Sequence, residues 1–240
     1  MKAFLLAAGH GTRLHPLTDS VPKCLLPICG VPLLEIWLNN CRSAGITDVL
    51  VNAHAHATAI REFAAEQKTG VRMRIAEEPE LLGSAGTLAA NHRFIAGEEF
   101  FFVLYADVLT NLDLSRMLAF HQQKHLAATL GICQVADPSR CGIVTIDENA
   151  VIRDFVEKPT RPSSNWAFAG VMVAGPELLN YLPTRRPVDL GFDVLPRMIG
   201  KMAAYKISEY LLDIGTLSNY ENAQQFWPGL AQHHSPVRGS

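Results

Sequence analysis

Short apolar runs alternate with stretches of helical period through the first half of this 240-residue chain, and that rhythm limits the folds open to it. Ala3–Leu6, Asp48–Asn52, Val71–Ala76 and Phe100–Leu104 read as strands. Leu33–Ala44, Thr58–Gln67 and Ser84–His92 read as the helices between them. A βαβ succession returns the chain to the same end of the sheet each time, which predicts parallel strands with helices on both faces. Leu114–Lys124 reads as a further helix. From Ala127 strands dominate: Ala127–Gln134, Gly142–Asp147, Val151–Glu157 and Trp166–Val173, with Asp147-Glu148-Asn149 as a turn. Glu177–Tyr181, Phe192–Ile199 and Thr216–Phe226 read as helical. No Gly-, Ser- or Pro-rich linker and no repeat divides the chain. The expectation is one α/β domain over residues 1–226, a mixed sheet flanked by helices, followed by a disordered tail over 227–240.

Such sheets bind ligands beyond the carboxyl ends of their strands. The residues that follow the first strand suit a polyphosphate. Gly9 and Gly11 let the backbone approach phosphate oxygens with free N–H groups. Arg13 adds a planar fork and Lys23 a point charge. The loop is not a P-loop, because no Gly-Lys-Ser/Thr occurs. Nor is it the dinucleotide fingerprint, since Gly9-His10-Gly11-Thr12-Arg13-Leu14 lacks the third glycine.

Two further carboxylates stand out. Phe100–Tyr105 is an apolar run that continues through Ala106 to Asp107, and Tyr210-Leu211-Leu212-Asp213-Ile214-Gly215-Thr216 repeats that pattern late in the chain. A carboxylate ending a buried strand is costly without a partner. Each can cap the next turn; together they can hold Mg²⁺, which takes one or two carboxylates plus substrate phosphates. Val156-Glu157-Lys158-Pro159, read alone, is an ordinary surface turn.

Composition narrows the class. A formal net charge of −2 argues against bulk binding to nucleic acid or anionic membrane. No apolar run is long enough to span a bilayer, and Met1-Lys2-Ala3-Phe4 enters a strand without a signal-peptide pattern. The five cysteines are odd in number and include no Cys-x-x-Cys, which predicts reduced thiols and a cytoplasmic setting.

The run Leu-Ala-Ala-Gly-x-Gly-Thr-Arg-Leu-x-Pro-Leu-Thr, with Pro-Lys-x-Leu-Leu-Pro behind it, resembles the signature of the sugar-1-phosphate nucleotidyltransferases, the nucleotide-sugar pyrophosphorylases. The resemblance covers about residues 1–226 and implies a glycosyltransferase-A-like, Rossmann-like nucleotidyltransferase fold. It implies that Leu6, Ala8, Gly9, Gly11, Thr12, Arg13 and Lys23 meet the nucleotide. Asp107 and Asp213 match the family's Mg²⁺ ligands, although the family more often has Gly-Asp where this chain has Ala106-Asp107. Glu157 and Lys158 match a sugar hydroxyl contact and a sugar-phosphate contact. Gly142, Asn165 and Gly170 fall in segments similar to those lining the sugar pocket, and Asp189–Pro196 loosely follows another family pattern, in which Asp193 can simply start a helix.

The Leu82–Gly86 run, Leu-Gly-Ser-Ala-Gly, is most like that of mannose-1-phosphate and heptose-1-phosphate guanylyltransferases. The implied base reader is Glu78 with the Gly83 backbone, because a carboxylate suits the adjacent N1–H and N2–H₂ donors of guanine. The implied substrates are an NTP, GTP by preference, and a sugar-1-phosphate; a homo-oligomer is compatible with the sequence. A uridylyltransferase acting on glucose-1-phosphate or N-acetylmuramate-1-phosphate is the alternative within the class. A non-catalytic nucleotide-sugar-binding subunit is the alternative outside it, and the joint presence of Arg13, Lys23, Asp107 and Asp213 counts against it.

Overall fold

The structure, a computed structural model, describes residues 1–9 and 11–230. In chain order its strands are β1 (Lys2–Leu6), β2 (Pro27–Ile28), β3 (Val31–Pro32), β4 (Asp48–Ala53), β5 (Arg72–Glu77), β6 (Phe101–Tyr105), β7 (Val108–Thr110), β8 (Ala128–Gln134), β9 (Gly142–Ile146), β10 (Ile152–Glu157), β11 (Trp166–Ala174), β12 (Met202–Lys206) and β13 (Leu211–Asp213). The α-helices are α1 (Leu33–Ser43), α2 (Ala57–Glu66), α3 (Ser84–Ala90), α4 (Leu114–Lys124) and α5 (Leu217–Phe226).

The main sheet runs β10-β9-β11-β6-β1-β4-β5, and β8 attaches to β11 with β12 outside it. β1, β4, β5 and β6 are parallel, and β11 turns antiparallel against β6. Leu6 pairs with both Asn52 and Tyr105, so three strands end level. That common edge is where the loop after Leu6, the turn after Tyr105 and the segment after Glu77 meet.

Both faces of the sheet are covered. Along β1 and β6, Leu5, Phe102 and Leu104 join one buried cluster, while Phe4, Phe101 and Val103 join the other. Period-two alternation across a doubly covered sheet explains why these strands read as unbroken apolar runs. On one face α1 buries Leu34, Trp37, Leu38 and Cys41, a helical spacing. Its Trp37 indole donates to the Val108 C=O (2.8 Å) and its Asn40 amide to the Leu112 C=O (3.1 Å). Those bonds hold β7 in place behind the site.

The expected strands and helices of the first half are present. Four differences have physical causes. The helix expected over Phe192–Ile199 is a π-helical turn, Leu190–Val194, followed by a 3₁₀ turn, Leu195–Met198, because Pro196 removes a backbone donor. Glu177–Tyr181 lies in a 3₁₀ turn opened by Pro176. The strands β2, β3, β7, β12 and β13 are additions; all but β12 are two or three residues long, too short for a periodic signal. Residues at the start of the expected tail are packed: Trp227 stacks edge-on against Tyr210 (5.3 Å between centroids), and Asn111 donates to the Gly229 C=O (3.3 Å). The rest of the expected tail lies outside the described residues.

Candidate active site

At the common strand edge, a cavity of about 250 Å³ is lined by Leu6, Gly9, Gly11, Thr12, Arg13, Lys23 and Asp107, among others. Its walls are pinned from below. The Ala7 N–H donates to the Asn52 side chain (2.7 Å), which fixes the start of the glycine loop. Gly11 adopts φ 65°, the left-handed region, and its C=O accepts from Thr18 (2.9 Å). Next comes a 3₁₀ turn, Thr12–Leu14, with Leu14 buried and Arg13 turned outward. A second 3₁₀ turn starts at Lys23 behind Pro22 and buries Cys24. Ala8 is half-buried beside the cavity, and His10 lies outside the described residues.

The two aspartates meet through an element the sequence did not reveal. β13 pairs antiparallel with β7, Asp213 opposite Val108, and the Ile214 N–H donates to the Asp107 C=O (3.0 Å). Lys23 Nζ lies 2.7 Å from Asp107 Oδ2 and 3.7 Å from Asp213 Oδ1. Gly215 completes the cluster, since a Cβ there would sit 2.7 Å from Asp213 Oδ1, 2.8 Å from Arg13 Nη2 and 3.0 Å from Lys23 Nζ. Arg13, Lys23, Asp107 and Asp213 thus converge on one point. Among the described residues no cluster of three or more His, Cys, Asp or Glu could hold a metal. A cation on this aspartate pair therefore needs further oxygens from a ligand, which is the Mg²⁺ pattern. The donors are hard carboxylate oxygens, and an ammonium already rests on one of them, so the pair suits such an ion.

On the base side, the structure holds the Glu78 carboxylate inside the protein. Glu78 is buried, 4% exposed. Its Oε1 accepts from Asn52 (2.9 Å) and Thr87, and its Oε2 from the Leu82 N–H (3.1 Å). The carboxylate is spent within the protein and does not face the cavity. Its work is to shape the 78–86 loop. Glu78→Gln should therefore destabilise the fold by about 1–3 kcal/mol, because one internal donor loses its acceptor. It should also lower kcat/KM for GTP and UTP alike. Urea denaturation and kinetics with both nucleotides check this; a selective loss with GTP would return Glu78 to the base.

On the other side, Glu157 ends β10 opposite Gly142 on β9. A Cβ on Gly142 would lie 2.6 Å from Glu157 Oε2, so that glycine clears space for the carboxylate. The carboxyl is pushed up by burial first and by Asp189 second, while Lys158 pulls it back. Lys158 Nζ lies 3.9 Å from Glu157 Oε1 and 5.6 Å above the Phe192 ring. The Cys141 thiol is raised by burial first, then by Glu157, Asp213 and Asp137, while Lys158 lowers it.

Gly170, at φ 72°, lies in a bulge where a Cβ would meet Tyr105 at 3.0 Å; it shapes the strand. Asn165 is exposed, and neighbouring Ser164 donates to the C=O of Val144 in the middle of β9 (2.6 Å). With Ala167 opposite Ile143, Asn165 sits roughly 10 Å along the strand from Gly142, at about 3.3 Å per residue.

Sequence reasoning missed Asn52, Thr87, Ser84, Gly191 and Gly215. Asn52 carried a signal: it is a polar residue inside the otherwise apolar Val49–Ala53 run. Gly215 lay within a motif quoted for Asp213 alone.

A phosphate-approach loop joined to two aspartates and a lysine marks a nucleotide-handling α/β fold. The family model described as Nucleotidyl transferase matches residues 2–228, and the chain belongs to that family. It is 33% identical to the mannose-1-phosphate guanylyltransferase catalytic subunit beta of Danio rerio, covering 99% of this chain and 66% of that protein. It is 32% identical to the mannose-1-phosphate guanyltransferase beta-B of Xenopus laevis, covering 99% and 68%. The chain spans about two thirds of the length of these relatives. A solved UDP-glucose pyrophosphorylase from Acinetobacter baumanii superposes with a TM-score of 0.80 at 24% identity, covering 93% of this chain and 91% of that one, and shares the fold.

Proposed function

We propose that this protein transfers a nucleotidyl group from an NTP to a sugar-1-phosphate, releasing pyrophosphate, with GTP and mannose-1-phosphate as the favoured pair. The convergence of Arg13, Lys23, Asp107 and Asp213 about Gly215 carries this reading. The names of the relatives support the choice of base and sugar. Glu78 is occupied internally, and Val188 and Glu78 take the Leu82, Ala85 and Gly86 N–H groups, so on that loop guanine reading falls to the Gly83 and Ser84 backbone. NTP as co-substrate implies a cytoplasmic setting.

The sugar phosphate oxygen attacks the α-phosphorus, and pyrophosphate leaves in line. A phosphate monoester is already largely dianionic at neutral pH, its second pKa being about 6, so no general base is required. The chain's contribution is positioning and charge. The loop from Ala7 to Thr12 holds the triphosphate, and Arg13 meets the departing pyrophosphate. Lys23 spans the reacting phosphates, and Lys158 anchors the sugar phosphate while Glu157 accepts from a sugar hydroxyl. Asp107 and Asp213 would hold Mg²⁺, which supplies Lewis-acid neutralisation of phosphate charge when bound.

Pyrophosphate release across four NTPs and several sugar-1-phosphates tests this. Release with GTP and mannose-1-phosphate is expected; preference for UTP would replace the guanylyl assignment, and release with no pair would remove the enzymatic one. Lys158→Ala should raise KM for the sugar phosphate about 10- to 150-fold, as befits one charged hydrogen bond of roughly 1.5–3 kcal/mol, and leave NTP affinity unchanged. The side chain is 57% exposed, so the fold should tolerate the change. Wild-type KM in the variant would make Glu157-Lys158-Pro159 a plain surface turn.

A further inference from the structure

The segment 188–192 touches both the 82–86 loop and the Glu157–Lys158 turn. On the nucleotide side it is stitched to the 82–86 loop: the Val188 N–H donates to the Leu82 C=O (2.9 Å), and the Val188 C=O accepts from the Ala85 and Gly86 N–H groups (3.0 and 3.1 Å). The fit is so close that a Cβ on Gly83, at φ 78°, would lie 2.3 Å from the Val188 oxygen. On the sugar side, a Cβ on Gly191 would lie 2.3 Å from Glu157 Oε2, and the Phe192 ring lies under the Lys158 ammonium.

Asp189 joins these contacts. One carboxylate oxygen accepts from the Gly191 and Phe192 N–H groups (2.8 and 3.2 Å), which sets the turn that backs Glu157 and Lys158. The other accepts from Ser84 Oγ (2.8 Å), and that same hydroxyl accepts from the Leu190 N–H (2.7 Å). Asp189 is itself held, its N–H donating to Asp193 (2.8 Å). Neither Ser84 nor Asp189 lines the phosphate cavity. Ser84, at the start of α3, thus ties the 82–86 loop to the carboxylate that sets the turn behind Glu157 and Lys158.

We propose that Ser84 and Asp189 are a positioning pair through which nucleotide binding tightens sugar-1-phosphate binding, an inference that rests on the function proposed above. A pair of this kind stores coupling between the ligands, since each ligand gains from a wall the other has already ordered. Direct contact between the ligands contributes coupling too, but that part does not depend on Ser84.

Calorimetry with mannose-1-phosphate separates the two, with and without saturating α,β-methylene-GTP, a nucleotide that cannot release pyrophosphate. In the wild type the analogue should tighten sugar-phosphate binding about fivefold or more, within the usual range for coupled sites. Ser84→Ala and Asp189→Asn should each lose most of that gain while Kd for either ligand alone stays within about threefold; Ser84→Thr, which keeps the hydroxyl, should restore it. A wild-type gain in both variants overturns the proposal. So does a parallel loss of affinity for each ligand alone, which signals plain structural damage. If wild-type protein binds mannose-1-phosphate and turns it over but shows no gain, this inference falls and the proposed function stands. If it binds neither ligand, both fall.

Discussion

Asp107→Asn and Asp213→Asn should each lower kcat by about 10³-fold, with the melting temperature nearly unmoved. Neutralising phosphate charge through a divalent ion is worth several kcal/mol in the transition state, and about 4 kcal/mol is a factor of roughly 10³. The fold should survive because the structural contacts of both residues outlast the change. Asp213 Oδ1 accepts from the Gly215 N–H (2.6 Å), and an asparagine oxygen can accept the same bond. The main chain of Asp107 remains bonded to Ile214. Steady-state kinetics with Mg²⁺, repeated in excess EDTA, checks the expectation together with thermal melts. Near-normal turnover by either folded variant, or wild-type turnover unaffected by EDTA, would remove the metal from the mechanism.

What could be read from the sequence divides along contact range. β1 and β6 were legible because each is a short unbroken apolar run bounded by turns, and Asp107 was legible because it ends such a run. The neighbourhood of Asp107 was not. It depends on β7 and β13, three residues each and about 100 residues apart, whose pairing carries no local signal. A motif match identified Asp213, but only the β7–β13 register explains why it arrives beside Asp107. Glu78 differs. Its residue type suggested a contact with the guanine donors, whereas Asn52, 26 residues earlier, and Thr87, 9 later, supply internal donors that let a carboxylate be buried.

The same division explains the sugar side. Gly142 and Glu157 were found from segments with a family likeness, and a direct strand pairing brings them together. Gly191 was invisible, because its significance lies in the room it leaves for a carboxylate 34 residues away in sequence, between Glu157 and Gly191. Glycines that clear space for a functional group hold no side chain to advertise it. Gly215 is the clearest case, and it bears directly on Lys23.

Lys23→Ala should lower kcat by about 10²-fold or more, the usual cost of removing one preorganised electrostatic donor from a reacting centre. The structure makes this lysine unusually constrained. Its side chain is only 10% exposed, it starts a 3₁₀ turn behind Pro22, and its ammonium rests 2.7 Å from Asp107. Gly215 leaves no slack around it, since a Cβ there would crowd Asp213, Arg13 and Lys23 together. Lys23→Arg keeps the charge but must fit a larger planar group into that gap, so it should recover only part of the lost turnover. A surface lysine that only attracts nucleotide would behave otherwise: arginine would replace it freely, and alanine would raise KM for the NTP without touching kcat. Single-turnover rates at saturating NTP distinguish the two outcomes, because saturation removes any deficit in ground-state binding. A wild-type single-turnover rate in Lys23→Ala would move Lys23 from the reacting phosphates to nucleotide capture.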